Sequence, residues 1–210
     1  MNILHVGATG LVGRLLLARL LDAPGVACVV APTRRPLGFR HPRLRNPMVD
    51  FEALPEDADW WAADAVACTL GTTLADAGSR AAFRRVDHDY PLQVARLARR
   101  HGARTYALNS ALGANARSSI LYNRVKGELE EAVAALGYPS LVLVRPGLID
   151  GRRERPRPGE ARALAVSRLL RPLLPAKWRP SRAERIAEAL ADAVLHPPPG
   201  RTVVAAERLA

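Results

Sequence analysis

The sequence predicts an α/β fold: a doubly wound, mostly parallel sheet of six to seven strands with helices on both faces. Short apolar runs alternate with segments of helical period along the chain. The runs are apolar throughout rather than alternating, as in strands covered on both faces. A glycine-rich turn joins the first run to the first helical segment. With 210 residues, 49% of them hydrophobic and 24% charged, the chain suits a single folded domain over 1–210 and is not disordered. A small cap on the substrate side is expected, formed mainly by residues 148–180.

The elements follow in order. Ile3 to Val6 reads as a first strand and Leu11 to Leu21 as a helix, stopped by Asp22-Ala23-Pro24-Gly25. Val26 to Ala31, Pro47 to Asp50 and Ala65 to Leu70 read as strands two, three and four. A helix is expected from Pro91 to His101, with Asp89 as its N-cap, Pro91 in its first turn and Gly102 as its stop. Thr105 to Asn109 is a fifth strand. From Ser118 to Leu136, the apolar residues Leu121, Val125, Leu129, Val133 and Leu136 recur at helical spacing, and Gly137 and Pro139 end the helix. Leu141 to Val144 is a sixth strand. Ala161 to Leu170 reads as a helix. Ser181-Arg-Ala-Glu184 has capping-box spacing before a helix through Ile186, Leu190 and Val194, and Thr202 to Ala205 reads as a last strand.

Gly7-Ala8-Thr9-Gly10-Leu11-Val12-Gly13 occupies the strand–turn–helix junction. Glycine there permits a tight turn, lets the backbone approach a pyrophosphate and lets the helix pack close to the strand. The first helical N–H groups and the helix dipole then receive the anion. This reading makes Gly7, Thr9, Gly10, Leu11, Val12 and Gly13 dinucleotide-binding residues. After the second strand no acid is present to hold a ribose hydroxyl. Arg34 and Arg35 stand there instead, and guanidinium forks suit a 2′-phosphate, so NADP(H) is expected over NAD(H).

Tyr122 and Lys126 are four residues apart, on one face of a helix and beside its apolar stripe. A free phenol titrates near 10, too high for easy proton exchange at neutral pH. A neighbouring cation favours the phenolate, so Tyr122 can exchange a proton with a carbonyl or alcohol oxygen, while Lys126 also reaches ribose hydroxyls. Ser110, at the end of the fifth strand, can hydrogen-bond the substrate oxygen. The catalytic candidates are therefore Ser110, Tyr122 and Lys126.

These residues resemble the short-chain dehydrogenase/reductase superfamily, and within it the atypical single-domain branch that includes Tat-interacting-protein-like oxidoreductases. The resemblance is good over residues 2 to about 150. It rests on the Gly7 to Gly13 turn, Cys68-Thr-Leu-Gly-Thr-Thr73, Ala77-Gly78-Ser79, Phe83, Val86-Asp87 and Tyr90. Ser110, Tyr122, Lys126-Gly127-Glu128 and Arg145-Pro146-Gly147 complete it. It implies that Leu70, Gly71 and Thr72 pass beneath the cofactor ribose, that Asp50 and Phe51 lie beside the adenine and that Pro146 faces the nicotinamide. It leaves the asparagine of the usual catalytic tetrad unplaced among Asn109, Asn115 and Asn123. The long substrate domain of sugar-nucleotide epimerases is missing.

The expected function is NADP(H)-dependent hydride transfer to or from a small carbonyl or alcohol. The alternative is a cofactor-binding regulatory or interaction module with little turnover. A nucleotide-sugar epimerase or dehydratase is a third reading. The net charge of +11 comes from 31 basic residues of which only Lys126 and Lys177 are lysine, and the arginines are dispersed apart from a cluster at Arg152 to Arg157. That cluster reads equally as a lid attracting an anionic substrate and as a solvated loop, and the dispersal argues against a dedicated nucleic-acid partner. No apolar run is long enough to span a membrane. Cys28 and Cys68 read as reduced, buried and structural, and the five histidines have no metal-ligand spacing. The start of the chain shows no basic-then-apolar leader, so a cytoplasmic protein, a monomer or homodimer, is expected.

Overall fold

The structure, a computed structural model, describes residues 1–151 and 175–210. The helix expected at Ala161 to Leu170, the arginine cluster Arg152 to Arg157 and most of the expected cap lie outside the described residues.

Seven strands form one parallel sheet: β1 (Asn2–Val6), β2 (Cys28–Val30), β3 (Leu44–Arg45), β4 (Ala65–Cys68), β5 (Thr105–Asn109), β6 (Ser140–Val144) and β9 (Gly200–Val204). Their order across the sheet is β3-β2-β1-β4-β5-β6-β9. A separate parallel pair joins β7 (Ile149–Asp150) to β8 (Ser181–Arg182), which the sequence did not suggest. Successive strand residues point to opposite faces. Ile3 and Val29 therefore meet α1 (Leu11–Asp22) and α6 (Ala183–Leu195) through Leu16, Leu20, Ile186 and Leu190. Leu4, Val66, Tyr106 and Leu143 meet α4 (Tyr90–Arg100) and α5 (Leu121–Ala134) through Leu97, Leu129 and Val133. These two apolar layers fix both helix pairs against the sheet, so its carboxyl edge is a rigid rim for the loops that follow.

Several boundaries depart from expectation. The third strand lies at Leu44–Arg45, not at Pro47 to Asp50. Pro47 has no N–H to give the ladder, and the Asn46 side-chain amide donates to the Ala31 carbonyl and the Thr33 hydroxyl instead. Met48 regains only a single bridge to Thr33. Asp89 does precede α4, with Pro91 in the first turn as expected, but it has helical torsions and makes no side-chain cap bond; its carboxylate pairs with His88 at 2.7 Å. After a separate α2 (Leu74–Ala77, capped by Thr73) that ends at left-handed Gly78, the continuous helical path starts at α3 (Arg80–Arg84, capped by Ser79). Residues Arg85–Asp89 then wind as a π-helix into α4. Pro91, with no N–H, removes a donor from the ladder just beyond that bulge.

The helix expected from Ser118 begins at Leu121. Ser181 caps nothing, because its hydroxyl accepts the Gly147 N–H at 3.0 Å within the β7–β8 unit. Both cysteines are free thiols, but only Cys68 is buried; Cys28 is half-buried.

Candidate active site

The loops after β1, β4, β5 and β6 open onto one cavity of about 570 Å³ at the carboxyl edge of the sheet. Its floor begins with the glycine turn. Gly7 takes φ +95°, which L side chains rarely adopt, and a Cβ there would lie 2.6 Å from the Thr69 carbonyl carbon. A Cβ on Gly13 would lie 2.0 Å from the Gly7 carbonyl oxygen, so α1 can approach β1 only through glycine. The Gly10 N–H donates to the Gly7 carbonyl at 3.0 Å. Gly10 is also the N-cap of α1 and supplies no capping side chain, so the first helical N–H groups face the cavity at the positive end of the dipole. Backbone N–H groups at the positive end of a helix dipole make this a cradle suited to an anion.

Beneath the turn, His5 is fully buried. Its Nε2 lies 3.3 Å from the Thr69 hydroxyl, which itself donates to the Val6 carbonyl at 3.1 Å. Burial without a charged partner pushes the imidazole down to about 3, so it is neutral.

Across the cavity, α5 presents Tyr122 and Lys126. Tyr122 is 40% exposed and lines the cavity, with its ring 5.8 Å from that of Phe83. Lys126 is only 3% exposed, and its Nζ lies 2.8 Å from Asp87 Oδ1. Burial pulls the ammonium down, but the Asp87 carboxylate, with Tyr122 adding to it, more than offsets that and holds it above the usual lysine range. The other Asp87 oxygen accepts the Thr72 N–H at 2.7 Å, tying the π segment to the turn after β4.

Ser110 is buried at the cavity wall and its hydroxyl donates to Glu130. Glu130 is itself 1% exposed and is forked by Arg145 through Nε at 2.9 Å and through a second guanidinium nitrogen. The Ser110 proton is thus turned toward α5 in this state.

Gly10, Leu11, Val12, Gly13, Leu70, Gly71, Thr72, Ser110, Tyr122, Lys126 and Pro146 share this one cavity. Gly7 shapes it from below. Thr9, Arg34, Arg35 and Asp50 do not line it; all four are exposed, with Arg34 and Arg35 just past the end of β2. Asp50 accepts the Glu52 N–H at 2.9 Å, and the neighbouring Phe51 packs on Tyr90 with ring centroids 5.7 Å apart. Sequence reading gave no role to Asp87 or Glu130. The signal was present. Asp87 falls four residues after Phe83 on a face that should be buried, and Glu130 falls four after Lys126. A charge on an inward face requires a partner. Lys177 and Trp178, elsewhere in the cavity lining, were also missed.

Fold and site together define the class: a Rossmann-type α/β protein whose glycine turn faces a Tyr–Lys pair across one cavity. No family model matches the chain. Among curated proteins, it is 38% identical over 169 residues to the mitochondrial protein fmp52 of Aspergillus fumigatus, covering 76% of this chain and 71% of that one. It is 39% identical over 163 residues to HTATIP2 of Rattus norvegicus, covering 76% and 67%. The chain belongs to this fmp52 and HTATIP2 family. The fungal relatives are mitochondrial by name, which overturns the cytoplasmic expectation; the leader-based argument for it does not stand. Among solved structures, MoeE5 in complex with UDP-glucose and NAD superposes with a TM-score of 0.74 at 18% identity, covering 97% of this chain and 75% of that one. The UDP-glucose 4-epimerase of Thermus thermophilus in complex with NAD gives 0.71 at 20%, covering 100% and 81%. At such identities the likeness concerns the fold.

Proposed function

We propose that this protein is an NAD(P)(H)-dependent oxidoreductase acting on a small carbonyl or alcohol, an anionic one included, with NADP(H) preferred. The observation that carries the reading is the single cavity that joins the glycine turn to Tyr122 and Lys126. The cradle fits a dinucleotide pyrophosphate, since it offers backbone N–H groups, a helix dipole and no side chain. Gly10, Leu11, Val12 and Gly13 would hold that pyrophosphate over Gly7, with Thr9 at its edge. Leu70, Gly71 and Thr72 would support the ribose, Lys126 its hydroxyls, Pro146 the nicotinamide and Asp50 the adenine side. Arg34 and Arg35, exposed beyond β2, would take the 2′-phosphate. When bound, the nicotinamide supplies or accepts the hydride.

The chain's own part is proton transfer and orientation. As hydride reaches the carbonyl carbon, the Tyr122 hydroxyl gives its proton to the carbonyl oxygen; in the reverse direction the phenolate takes the alcohol proton. Lys126, charged under the influence of Asp87, stabilises the phenolate. Ser110 would orient the substrate carbonyl oxygen by donating to it the hydroxyl proton that here rests on Glu130, which requires the hydroxyl to turn from Glu130 toward the cavity.

NADPH consumption across a panel of aldehydes and ketones tests the reading. Turnover by the wild type, reduced about 100-fold or more in Tyr122→Phe with NADPH affinity unchanged, is the expected result. Absence of NADPH binding overturns it. The engagement of Ser110 by Glu130 favours a second reading, a cofactor-loaded binding module. NADPH bound without turnover of any panel member, and unaltered by Tyr122→Phe, is its signature.

A further inference from the structure

We propose that Asp87 is a positioning residue for the Tyr122–Lys126 pair: its buried carboxylate anchors the Lys126 ammonium and offsets most of the positive field that ammonium casts on the Tyr122 oxygen. The proposal rests on Tyr122 being the proton-exchanging group. Three elements converge on the ion pair. The π segment brings Asp87, α5 brings Lys126, and the turn after β4 roofs both. A Cβ on Gly71 would lie 3.3 Å from Asp87 Oδ1 and 3.6 Å from Lys126 Nζ. Asp87 is fully buried, and the Thr72 N–H holds its second oxygen. The carboxylate therefore cannot swing away, and the ammonium is fixed 2.8 Å from it. A lone cation beside a phenol acts at full strength, whereas a cation paired with a fixed anion acts as a dipole whose field falls off faster. The ion pair thus fixes the Lys126 ammonium one helical turn from Tyr122 while limiting how far it draws the phenolate out.

Among the described residues, the charged groups around Tyr122 are few. Lys126 lies on its own helix, Asp87 on the π segment, and Lys177 elsewhere in the cavity lining. Outside the cavity, Arg84 of α3 pairs with Glu128 of α5, and Arg124 turns back onto the Ser118 carbonyl. Replacing Asp87 leaves all of these except Lys126 unchanged.

Tyrosinate absorbance followed against pH reads the effect without cofactor or substrate. Burial and the Glu52 carboxylate push Tyr90 up to about 12, and burial also pushes Tyr106 and Tyr138 well above the ordinary tyrosine range. The difference between each protein and its Tyr122→Phe counterpart therefore isolates the fourth phenol. Asp87→Asn keeps the shape and the Thr72 hydrogen bond but removes the charge. With Lys126 still charged, loss of the anion should move the Tyr122 step to lower pH. An unmoved step, a step moved upward, or no step assignable to Tyr122 in the wild type overturns the proposal.

Circular dichroism reports whether Asp87→Asn folds. If it does not, the neutral double variant Asp87→Asn/Lys126→Met, which leaves no lone buried charge, replaces it. Its step should stay within about half a pH unit of wild type if the two charges offset one another, and rise well beyond that if Lys126 acts uncompensated. Failure of NADPH to bind would sink the oxidoreductase reading while leaving this titration intact, so the two failures are distinguishable.

Discussion

His5 is a histidine at the centre of a parallel sheet, neutral in the fold down to about pH 3, whereas in the unfolded chain it takes up a proton near its ordinary 6.5. The unfolded state binds more protons between those values, so stability is full above 6.5 and falls as pH drops, by about 1.4 kcal/mol per unit. Denaturant unfolding at pH 6.5 and pH 4.5 should show the wild type losing markedly more stability than His5→Leu; equal losses would contradict the neutral assignment. At Lys126 the arithmetic differs. Lys126→Met leaves Asp87 as a buried, uncompensated charge, so it should cost about 3–5 kcal/mol of stability in addition to activity, measured by urea unfolding. The Tyr122–Lys126 pair was legible in the sequence because i, i+4 spacing on a helix decides which side chains share a face. Asp87 reaches Lys126 from the π segment, and Glu130, on the same helix as Lys126, meets Ser110 and Arg145 from beyond β5 and β6; no local rule names which buried charges will meet.

At the scale of elements, the glycines show where packing overrides propensity. Gly127 lies inside α5, where replacement by alanine ordinarily adds about 0.5–1 kcal/mol. Here a Cβ would sit 2.2 Å from the Ala116 nitrogen and the Asn115 carbonyl carbon, because the loop before the helix crosses at that point. Gly127→Ala should therefore destabilise by more than about 2 kcal/mol in thermal or urea unfolding. A gain would mean that the 115–116 loop does not pack there. Leu121 to Ala134 and the strands β1, β5 and β6 were readable from apolar periodicity because each is long or uniformly buried. The start of α4 was legible from Pro91 in its first turn, but the π segment that leads into it from α3 was not, because no residue pattern marks it. The third strand was misplaced because the side chain of Asn46 replaces a main-chain rung, which no hydropathy pattern records.

For the whole molecule, the order β3-β2-β1-β4-β5-β6-β9 puts the glycine turn after β1 and the Tyr122 helix after β5 on the same edge of the sheet. That convergence is what turns two separate motifs into one cavity. It follows from parallel topology, so the sequence carried it as soon as the alternating pattern was recognised. The proposed preference for NADP(H) rests on Arg34 and Arg35, exposed just past the end of β2. Alanine at both positions should weaken NADPH at least about tenfold, the value of one lost charge-assisted contact, while leaving NADH unchanged in a fluorescence titration. Equal loss for both would assign the arginines to general attraction by a chain of net charge +11. The most direct test of the account is a crystal structure of the protein with NADP⁺ bound. The account predicts the pyrophosphate on the N-terminus of α1 at Gly10 to Gly13 and the nicotinamide in the cavity within reach of the Tyr122 hydroxyl. A dinucleotide seated away from that cavity, or a nicotinamide separated from Tyr122 by protein, would contradict it.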